Sequence, residues 1–356
     1  MKFEPDYRNI EMAARNQRPP RLPFYEHIIG VDSMERIIGS KFGDLVDGDC
    51  AARSEFFKTY GGFFRDHGYD TVSYEVCVTE ILPGGGALLG EQDGPIQNRN
   101  DFEKYPWADV PRIFREKSEP RFIALRETMP AGMKAIGGIG NGVFEISEDL
   151  VGYEQLCLMM VDDPDLFADL YRKIGDLLKT LWAEFLDKFG DVYVVCRIGD
   201  DMGFKSAPLM SPATLKEHVV PQYRRLVKLV HDSGHPFLLH SCGCIFDVMD
   251  DLIAAGIDAK HSNEDAIAPY DEWIRRYGGR IGLFGGIDTD RLCRMKPDDI
   301  YAFVLEEGKR FRQTAKGYAL GSGNSIPGYV STEAYLAMIR AGERIRMEEE
   351  QKGGAE

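Results

Sequence analysis

The sequence lacks a hydrophobic run long enough to cross a membrane. Its N-terminal stretch, MKFEPDYRNIEMAARNQRPPR, has no apolar core of the kind that a signal peptide carries, and no later stretch approaches the ~18 apolar residues that a membrane span needs. The seven cysteines are an odd number scattered along the chain, which is typical of reduced thiols rather than of a disulfide framework. We therefore expect a cytoplasmic protein with no membrane partner.

Basic residues are also in short supply. The chain has 43 lysines and arginines against 58 aspartates and glutamates, which gives a formal net charge of −15. A field of that sign repels phosphate backbones and anionic lipid surfaces, so we expect no nucleic-acid partner either. The length of 356 residues, 44% of them hydrophobic, allows a large core and suits either one barrel with insertions or two ordinary domains.

What the chain does contain is a repeated alternation of short apolar runs with amphipathic stretches of helical length. The short runs are apolar throughout, as strands buried on both faces should be. They are Thr71–Val78, Met133–Gly138, Val192–Ile198, Pro236–His240, Ile257–His261, Ile281–Phe284 and Gly317–Leu320. Repeated strand–helix units predict an α/β fold with a parallel sheet.

The unbroken succession of these units, with no long linker between them, favours a single (β/α)8 TIM barrel. We expect a short N-terminal lead-in of helices and loops over residues 1–65 that packs on the barrel. The catalytic barrel itself should span residues 66–347, and residues 348–356 form a charged tail.

Each apolar run ends in polar or ionisable residues, which in a parallel barrel should converge on one mouth at the C-terminal ends of the strands. Asp200 and Asp201 are paired carboxylates, which can divide acid and base roles. Equally, one of them can cap the following turn while the other accepts hydrogen bonds from neighbouring amides. His261, close to Glu264 and Asp265, suits a general base or a metal ligand, and it also suits a histidine–carboxylate pair that ties two loops together.

We select candidates from these strand ends by residue type, because acid–base chemistry uses carboxyl and imidazole groups. The catalytic candidates are Asp200, Asp201, Glu80 and His261. The substrate-binding candidates are Asn141, Glu145, Asp288 and Asn324.

His240 and Cys242 form the sharpest local pattern. Side chains two residues apart on a strand point the same way, and an imidazole with a thiolate suits zinc, so we predict that both are metal ligands. Two ligands do not complete a site, because a structural zinc needs four and a catalytic zinc needs three with an open position. The alternative is a buried histidine beside a packing cysteine. Cys244 has the same parity, but it also suits a loop residue before a helix.

Four segments, taken together, resemble the uroporphyrinogen decarboxylase superfamily. They are an H-x-C-G strand end in Pro236–Gly243, a G-x-x-D strand end in Gly282–Cys293, a G-x-G-x-x-x-P strand end in Ala319–Pro327, and the aspartate segment Ile198–Phe204. The ordered set is specific although no one motif is, and the likeness covers roughly residues 65–345. The superfamily has two main branches, the true decarboxylases of the porphyrin pathway and the corrinoid-dependent methyltransferases.

The resemblance is closer to the methyltransferase branch. True decarboxylases carry an arginine-rich segment of the type R-Q-A-G-R-Y near the N-terminus, which grips the carboxylates of the substrate. This chain has NQRPPRLPFYEHI over Asn16–Ile28, with Arg18 and Arg21 but without that motif. A polyanionic tetrapyrrole needs several fixed cations, and few candidates lie near the strand ends.

The methyltransferase branch typically binds zinc through an H-x-C pair and a distant cysteine in the G-x-G segment. His240 and Cys242 match the pair, whereas Asn324 stands at the place of the distant cysteine. The resemblance therefore implies a zinc site completed by another group, such as Glu80, Glu145, Asp200 or Cys244. With fewer thiolates the zinc is a harder Lewis acid, which favours demethylation of a methoxylated compound over methylation of a thiol.

From this resemblance we expect a methyltransferase that moves a methyl group between a small methoxylated or methylated substrate, or a thiol acceptor, and a cobalamin-binding protein that carries the corrinoid. A carboxy-lyase similar to uroporphyrinogen decarboxylase is the second hypothesis. A barrel that binds a ligand without turnover is the third, because the third cysteine is missing. The oligomeric state is left open, and a homodimer is among the alternatives.

Overall fold

The computed structural model describes residues 3–90 and 92–353, and its centre is one parallel sheet of seven strands in the order β1 to β7. All seven strands lie where the apolar runs predicted them. Their bounds are β1 Thr71–Cys77, β2 Lys134–Gly140, β3 Tyr193–Gly199, β4 Phe237–His240, β5 Ala259–His261, β6 Gly282–Ile287 and β7 Tyr318–Ser322. Sequential parallel neighbours with helical connections are the pattern of a TIM-like barrel.

Helices connect the strands and cover the outside of the sheet. The α-helices are α1 Arg8–Ala14, α2 Val31–Ile38, α3 Cys50–Asp66, α4 Arg99–Lys104, α5 Val110–Thr128, α6 Val143–Val151, α7 Tyr153–Asp162, α8 Pro164–Phe189, α9 Pro212–Thr214, α10 Val220–Asp232, α11 Phe246–Ala255, α12 Tyr270–Tyr277, α13 Thr289–Arg294, α14 Pro297–Thr314 and α15 Thr332–Gly353. A 3-10 helix spans Gly43–Asp47, and a π-helical turn over Leu215–Val219 joins α9 to α10. Among the described residues, no helix combines the length and the apolar character needed to cross a bilayer.

The predicted count of eight strands is not confirmed, since the described residues contain seven. The extended segment 23–29 of the lead-in lies between β7 and β1 instead. The amide of Tyr25 donates to the carbonyl of Leu320, and the amide of Leu320 donates to the carbonyl of Pro23, each across 2.9 Å. On the other side, the Ser73 hydroxyl of β1 donates to the carbonyl of His27. Part of the lead-in therefore runs beside the strands rather than only packing on one end of the barrel.

The barrel interior has an apolar lower layer and a polar upper layer. Helix α1 packs against β3, β6 and β7 at their N-terminal ends, and its buried Ile10, Ala13 and Ala14 join an apolar cluster. The other buried members of that cluster are Tyr25, Ile136, Val194, Val195, Leu238, Ala259, Phe284 and Ala319. Side chains two residues apart on a strand point the same way. Two residues after the cluster members of β3, β4 and β5, and on the same face, lie Arg197, His240 and His261. The sequence thus places its ionisable groups one layer below the mouth.

Candidate active site

Two buried histidines on neighbouring strands form the centre of the site. His240 is the last residue of β4 and His261 the last of β5, and the two are paired in the parallel register. Their Nδ1 atoms lie 2.7 Å apart. A contact of this length between two ring nitrogens requires one to donate and the other to accept.

The surrounding contacts settle which histidine donates. The Nε2 of His261 lies 2.9 Å from the carbonyl oxygen of Ser322, so this nitrogen carries a proton and donates it. Burial lowers the pKa of His261 to about 3, and burial with the charge of Arg197 lowers the pKa of His240 well below its usual range, so both rings are neutral. His261 Nδ1 therefore accepts from His240 Nδ1, and the lone pair of His240 is on Nε2.

That lone pair faces a thiol and a carboxylate. The Sγ of Cys242 lies 3.4 Å from His240 Nε2, and the Oδ1 of Asp201 lies 3.7 Å from the same nitrogen. The amide of Cys242 donates to Asp201 Oδ1 across 2.7 Å, which fixes the carboxylate beside the thiol. One ligand atom from each of the three residues lies within 4.8 Å of the others.

This donor set fits zinc. Three protein ligands of nitrogen, sulfur and oxygen type with room for a fourth are the pattern of a catalytic zinc site. Burial, with a contribution from Asp201, raises the pKa of Cys242, so without a cation the sulfur stays a thiol. A metal ion would remove that proton, because a coordinating thiol is deprotonated outright. The third ligand in this arrangement is Asp201, which was not among the carboxylates named for that role from the sequence.

Asn324, which stands at the place of the distant cysteine of the methyltransferase branch, lies beside Cys242. Its Nδ2 donates to Cys242 Sγ across 3.2 Å. An amide nitrogen cannot replace a thiolate as a zinc ligand, but this donor stabilises negative charge on the Cys242 sulfur. Cys244 does not belong to the group formed by His240, Cys242 and Asp201.

The two neighbouring aspartates have different partners. Asp200 accepts from the amides of Phe144 and Glu145, at 3.2 and 2.8 Å, and from the hydroxyl of Tyr223 at 2.7 Å. It therefore holds the N-terminus of α6, and a Cβ on Gly142 would overlap its carboxylate. Asp201 points to the histidine–cysteine pair instead. Both aspartates therefore accept hydrogen bonds from backbone amides, Asp200 from the start of α6 and Asp201 from Cys242, and no contact of the described residues has either of them capping the turn that follows.

Glu145 and Asn141 support Asp201 from the side of α6. The amide of Asp201 donates to Glu145 Oε1 across 3.2 Å, and Asn141 Nδ2 donates to Glu145 Oε2 across 2.8 Å. Asn141 is held in turn by Thr79, whose hydroxyl donates to Asn141 Oδ1. Burial and the charges of Asp201 and Asp200 raise the pKa of Glu145. The neighbouring Glu148 is buried too, and burial raises its pKa to about 8.

Two predicted residues lie apart from this cluster. Glu80 follows the end of β1 by three residues and turns outward, where its carboxylate pairs with Lys117 of α5 at 3.2 Å. The geometry therefore does not support Glu80 as an acid or as a metal ligand. Asp288 caps α13, accepting from the amides of Asp290 and Asp265 at 2.7 and 2.6 Å, and it also lines a cleft that Asn324 borders.

His261 is brought into the cluster, but in a different role from the predicted catalytic base. Both of its ring nitrogens are engaged, with Ser322 and with His240. It has no free lone pair for a substrate proton, so it acts by positioning His240.

The sequence analysis missed His27. Its ring stacks on that of His240 with the centroids 3.7 Å apart, and it lies in the extended segment between β7 and β1. In an extended segment Tyr25 and His27 share one face, and Phe24 and Glu26 share the other. Reading this segment as a strand was the available way to place His27 in the interior. Arg197, also missed, is fully buried and pairs with Glu75 at 2.8 Å.

The arginines of the lead-in lie at the other end of the barrel. Arg18 donates to the carbonyl of Gln313, five residues before β7, and Arg21 pairs with Asp70, immediately before β1. Both are thus at the N-terminal ends of the strands. Neither contributes a cation to the mouth.

A model of the uroporphyrinogen decarboxylase (URO-D) family matches residues 12–345 of the chain. A solved structure of a methyltransferase from Methanosarcina mazei has a TM-score of 0.75 at 17% sequence identity, over 95% of this chain and 98% of that one. A B12-independent methionine synthase from Shewanella sp. W3-18-1 has a TM-score of 0.50 at 12% identity, over 85% and 89%. No curated protein sequence matches. At these identities the solved structures show a shared fold alone.

Proposed function

Because the chain belongs to the uroporphyrinogen decarboxylase family, we propose that it is a methyltransferase that exchanges a methyl group between a small methylated or methoxylated substrate and the corrinoid of a separate protein. The observation that carries this proposal is the convergence of His240 Nε2, Cys242 Sγ and the Asp201 carboxylate at the barrel mouth. The methyltransferase from Methanosarcina mazei has the same fold over nearly its whole length, which is consistent with it.

His240, Cys242 and Asp201 would hold the zinc ion. When bound, zinc supplies Lewis acidity that polarises an oxygen or sulfur atom attached to the methyl group. His261 keeps the lone pair of His240 on Nε2, and the amide of Cys242 orients the Asp201 carboxylate. Asn324 donates to the cysteine sulfur and so favours its ionised form.

Methyl transfer from a methoxylated compound breaks the bond between the methyl carbon and oxygen. The methyl group passes to cobalt(I) of the partner's corrinoid, and the departing oxygen keeps the bonding electrons and takes up a proton. Glu148 is a candidate to supply this proton, because it is buried and interacts electrostatically with Asp200 and Asp201, and its burial raises its pKa. Glu148 therefore replaces Glu80 as the candidate acid.

The test of this proposal is spectroscopic. The purified protein is mixed with free cob(I)alamin or with a reduced corrinoid protein, and with a panel of methoxylated aromatics and methylated thiols. We expect the absorbance of methylcobalamin to appear with at least one compound and to be lost in the His240→Ala, Cys242→Ala double variant. Cys244→Ala is the matched control and should retain the activity.

Two other results would contradict the proposal. Consumption of uroporphyrinogen with release of carbon dioxide, without any methylcobalamin, would identify a decarboxylase. The positions of Arg18 and Arg21 argue against that result, because neither lies at the mouth. Tight binding of a small molecule without turnover in either assay would identify a binding protein.

A further inference from the structure

A cleft of about 370 Å³ opens beside the histidine–cysteine cluster. Asn324 connects the two, because its side chain contacts Cys242 and also lines the cleft. The segments that follow β5, β6 and β7 form its walls, and the segment after β6 includes α13. The lining residues are Asn263, Glu264, Asp288, Thr289, Asp290, Cys293, Asn324, Ser325, Pro327 and Tyr329.

The charge of the cleft is of one sign. Three carboxylates line it, and none of its lining residues in the described part of the chain is a lysine or arginine. Asp290 is paired with Arg294 at 2.7 Å, and Asp288 accepts two backbone amides as a helix cap. The Glu264 carboxylate makes no hydrogen bond or ion pair with another described residue. A cation in the cleft would therefore find one carboxylate unpaired.

Lys260, a buried lysine near Glu264, is turned away from the cleft. Lys260 interacts electrostatically with Glu264, but its ammonium group donates to the carbonyl of Ser262 and lies 3.9 Å from the centre of the Trp273 ring. It does not line the cleft. It weakens the field of Glu264 without occupying the place of a ligand.

A second observation points independently to a ligand. Asn263 is 3% exposed, and its Oδ1 accepts from the amide of Gly286 across 2.9 Å, but its Nδ2 has no hydrogen-bond partner. A buried donor without a partner is costly, and few such groups persist in folded proteins. Since Asn263 lines the cleft, an acceptor atom of a bound molecule would satisfy this donor.

We propose that the cleft selects a small organic ammonium compound that also carries an acceptor oxygen. The ammonium group would lie against Glu264, and the oxygen would accept from Asn263 Nδ2. Tyr329, which is largely exposed at the rim, offers an aromatic face that favours a cation further. That this compound is the methyl-group substrate rests on the proposed function, whereas its binding does not.

The same charges exclude anionic compounds. A carboxylate or sulfonate in this cleft would face Glu264, Asp288 and Asp290 without a compensating lysine or arginine in the lining. The cleft therefore favours cationic over neutral ligands, and neutral over anionic ones.

Binding of four probes by isothermal titration calorimetry tests this order. Choline carries a quaternary ammonium group and a hydroxyl, its carbon isostere lacks only the charge, isethionate has a sulfonate in place of the ammonium group, and tetramethylammonium lacks the hydroxyl. We expect choline to bind about tenfold more tightly than its uncharged isostere, which corresponds to one unpaired carboxylate at a partly exposed site. Isethionate should not bind measurably.

Two variants assign the contacts. Glu264→Gln should weaken choline about tenfold and leave the uncharged isostere unchanged, whereas Glu217→Gln, an exposed carboxylate outside the cleft, should change neither. Asn263→Asp keeps the acceptor for Gly286 and removes the donor, so the preference for choline over tetramethylammonium should disappear.

Equal affinities for choline and its uncharged isostere would overturn the proposal, as would tighter binding of isethionate or no binding of choline at millimolar concentration. These measurements involve no methyl transfer. Choline binding without any methylcobalamin formation would therefore contradict the proposed function and leave the ligand assignment intact. Methylcobalamin formation from uncharged substrates alone would support the proposed function and contradict the ligand assignment.

Discussion

His240 donates the proton on its Nδ1 to the Nδ1 of His261 across 2.7 Å, and this hydrogen bond determines which nitrogen of His240 faces Cys242. The direction of the bond is fixed further away, where His261 Nε2 donates to the carbonyl of Ser322 on β7. Three strands therefore set the tautomer of one ligand. An imidazole held in this way has its lone pair in place before a metal ion arrives.

Replacing His261 should lower the affinity for zinc although His261 is not a ligand. In His261→Leu nothing accepts from His240 Nδ1, so we expect the affinity to fall about 10- to 100-fold, as is usual when the partner of a metal-binding histidine is removed. His261→Asn, whose side-chain oxygen can accept at the same place, should restore part of the loss. Competition with a chromophoric chelator measures both, and an unchanged affinity in His261→Leu would contradict the positioning role.

The metal content of the purified protein checks the ligand set itself. We expect close to one zinc ion per chain without added metal and almost none in the His240→Ala, Cys242→Ala double variant. Cys244→Ala is the matched control and should retain the zinc, because Cys244 lies outside the cluster. Elemental analysis by mass spectrometry gives the ratio, and stoichiometric zinc in the double variant would show that the ion binds elsewhere.

The two adjacent aspartates should separate metal binding from stability. Asp201→Asn keeps an acceptor for the Cys242 amide but removes the ligand charge, so zinc affinity should fall at least about tenfold with little change in stability. Asp200→Asn turns one acceptor at the start of α6 into a donor, so the free energy of unfolding should fall by about 1–3 kcal/mol while zinc is retained. Urea denaturation and zinc titration of both variants check this contrast. Loss of zinc in Asp200→Asn together with loss of stability in Asp201→Asn would contradict it.

Glu26 should make the protein less stable as the pH rises. It is fully buried and accepts from the amide and hydroxyl of Ser322, and burial raises its pKa from 4.5 to about 8. The native state therefore holds a proton that the unfolded chain has lost above about pH 5, so stability falls between that pH and about pH 8. The stability that protonated Glu26 contributes is fully present only below the pKa of this carboxyl group in the unfolded chain.

Glu26→Gln removes this titration while keeping a side chain of the same shape. We expect its free energy of unfolding to exceed that of the wild type by at least ~1 kcal/mol near pH 8, the equivalent of one pKa unit, and the difference to shrink towards pH 5. Chemical denaturation across this range is the measurement. Parallel pH profiles for the two proteins would show that Glu26 titrates normally.

The sequence by itself determined the strands, because a strand buried on both faces must be apolar throughout and its run of apolar residues is local. It also determined the pair His240 and Cys242, since two residues of the same parity on one strand share a face whatever the rest of the chain does. The family resemblance, which rests on the order of such strand ends, was confirmed by the match over residues 12–345.

Only the tertiary structure decided which residues complete the cluster. His27 is more than 200 positions from His240 in the chain, and it reaches the barrel interior because the segment 23–29 fills the gap between β7 and β1. Asp200 and Asp201 are equivalent in the sequence, but alternate side chains diverge, so one meets the start of α6 and the other meets Cys242. Glu80 looked like another strand-end acid, yet three residues beyond β1 the chain has turned towards α5, where Lys117 binds it. Local patterns fix the direction of a side chain within a strand, whereas partners beyond the strand depend on how the loops close.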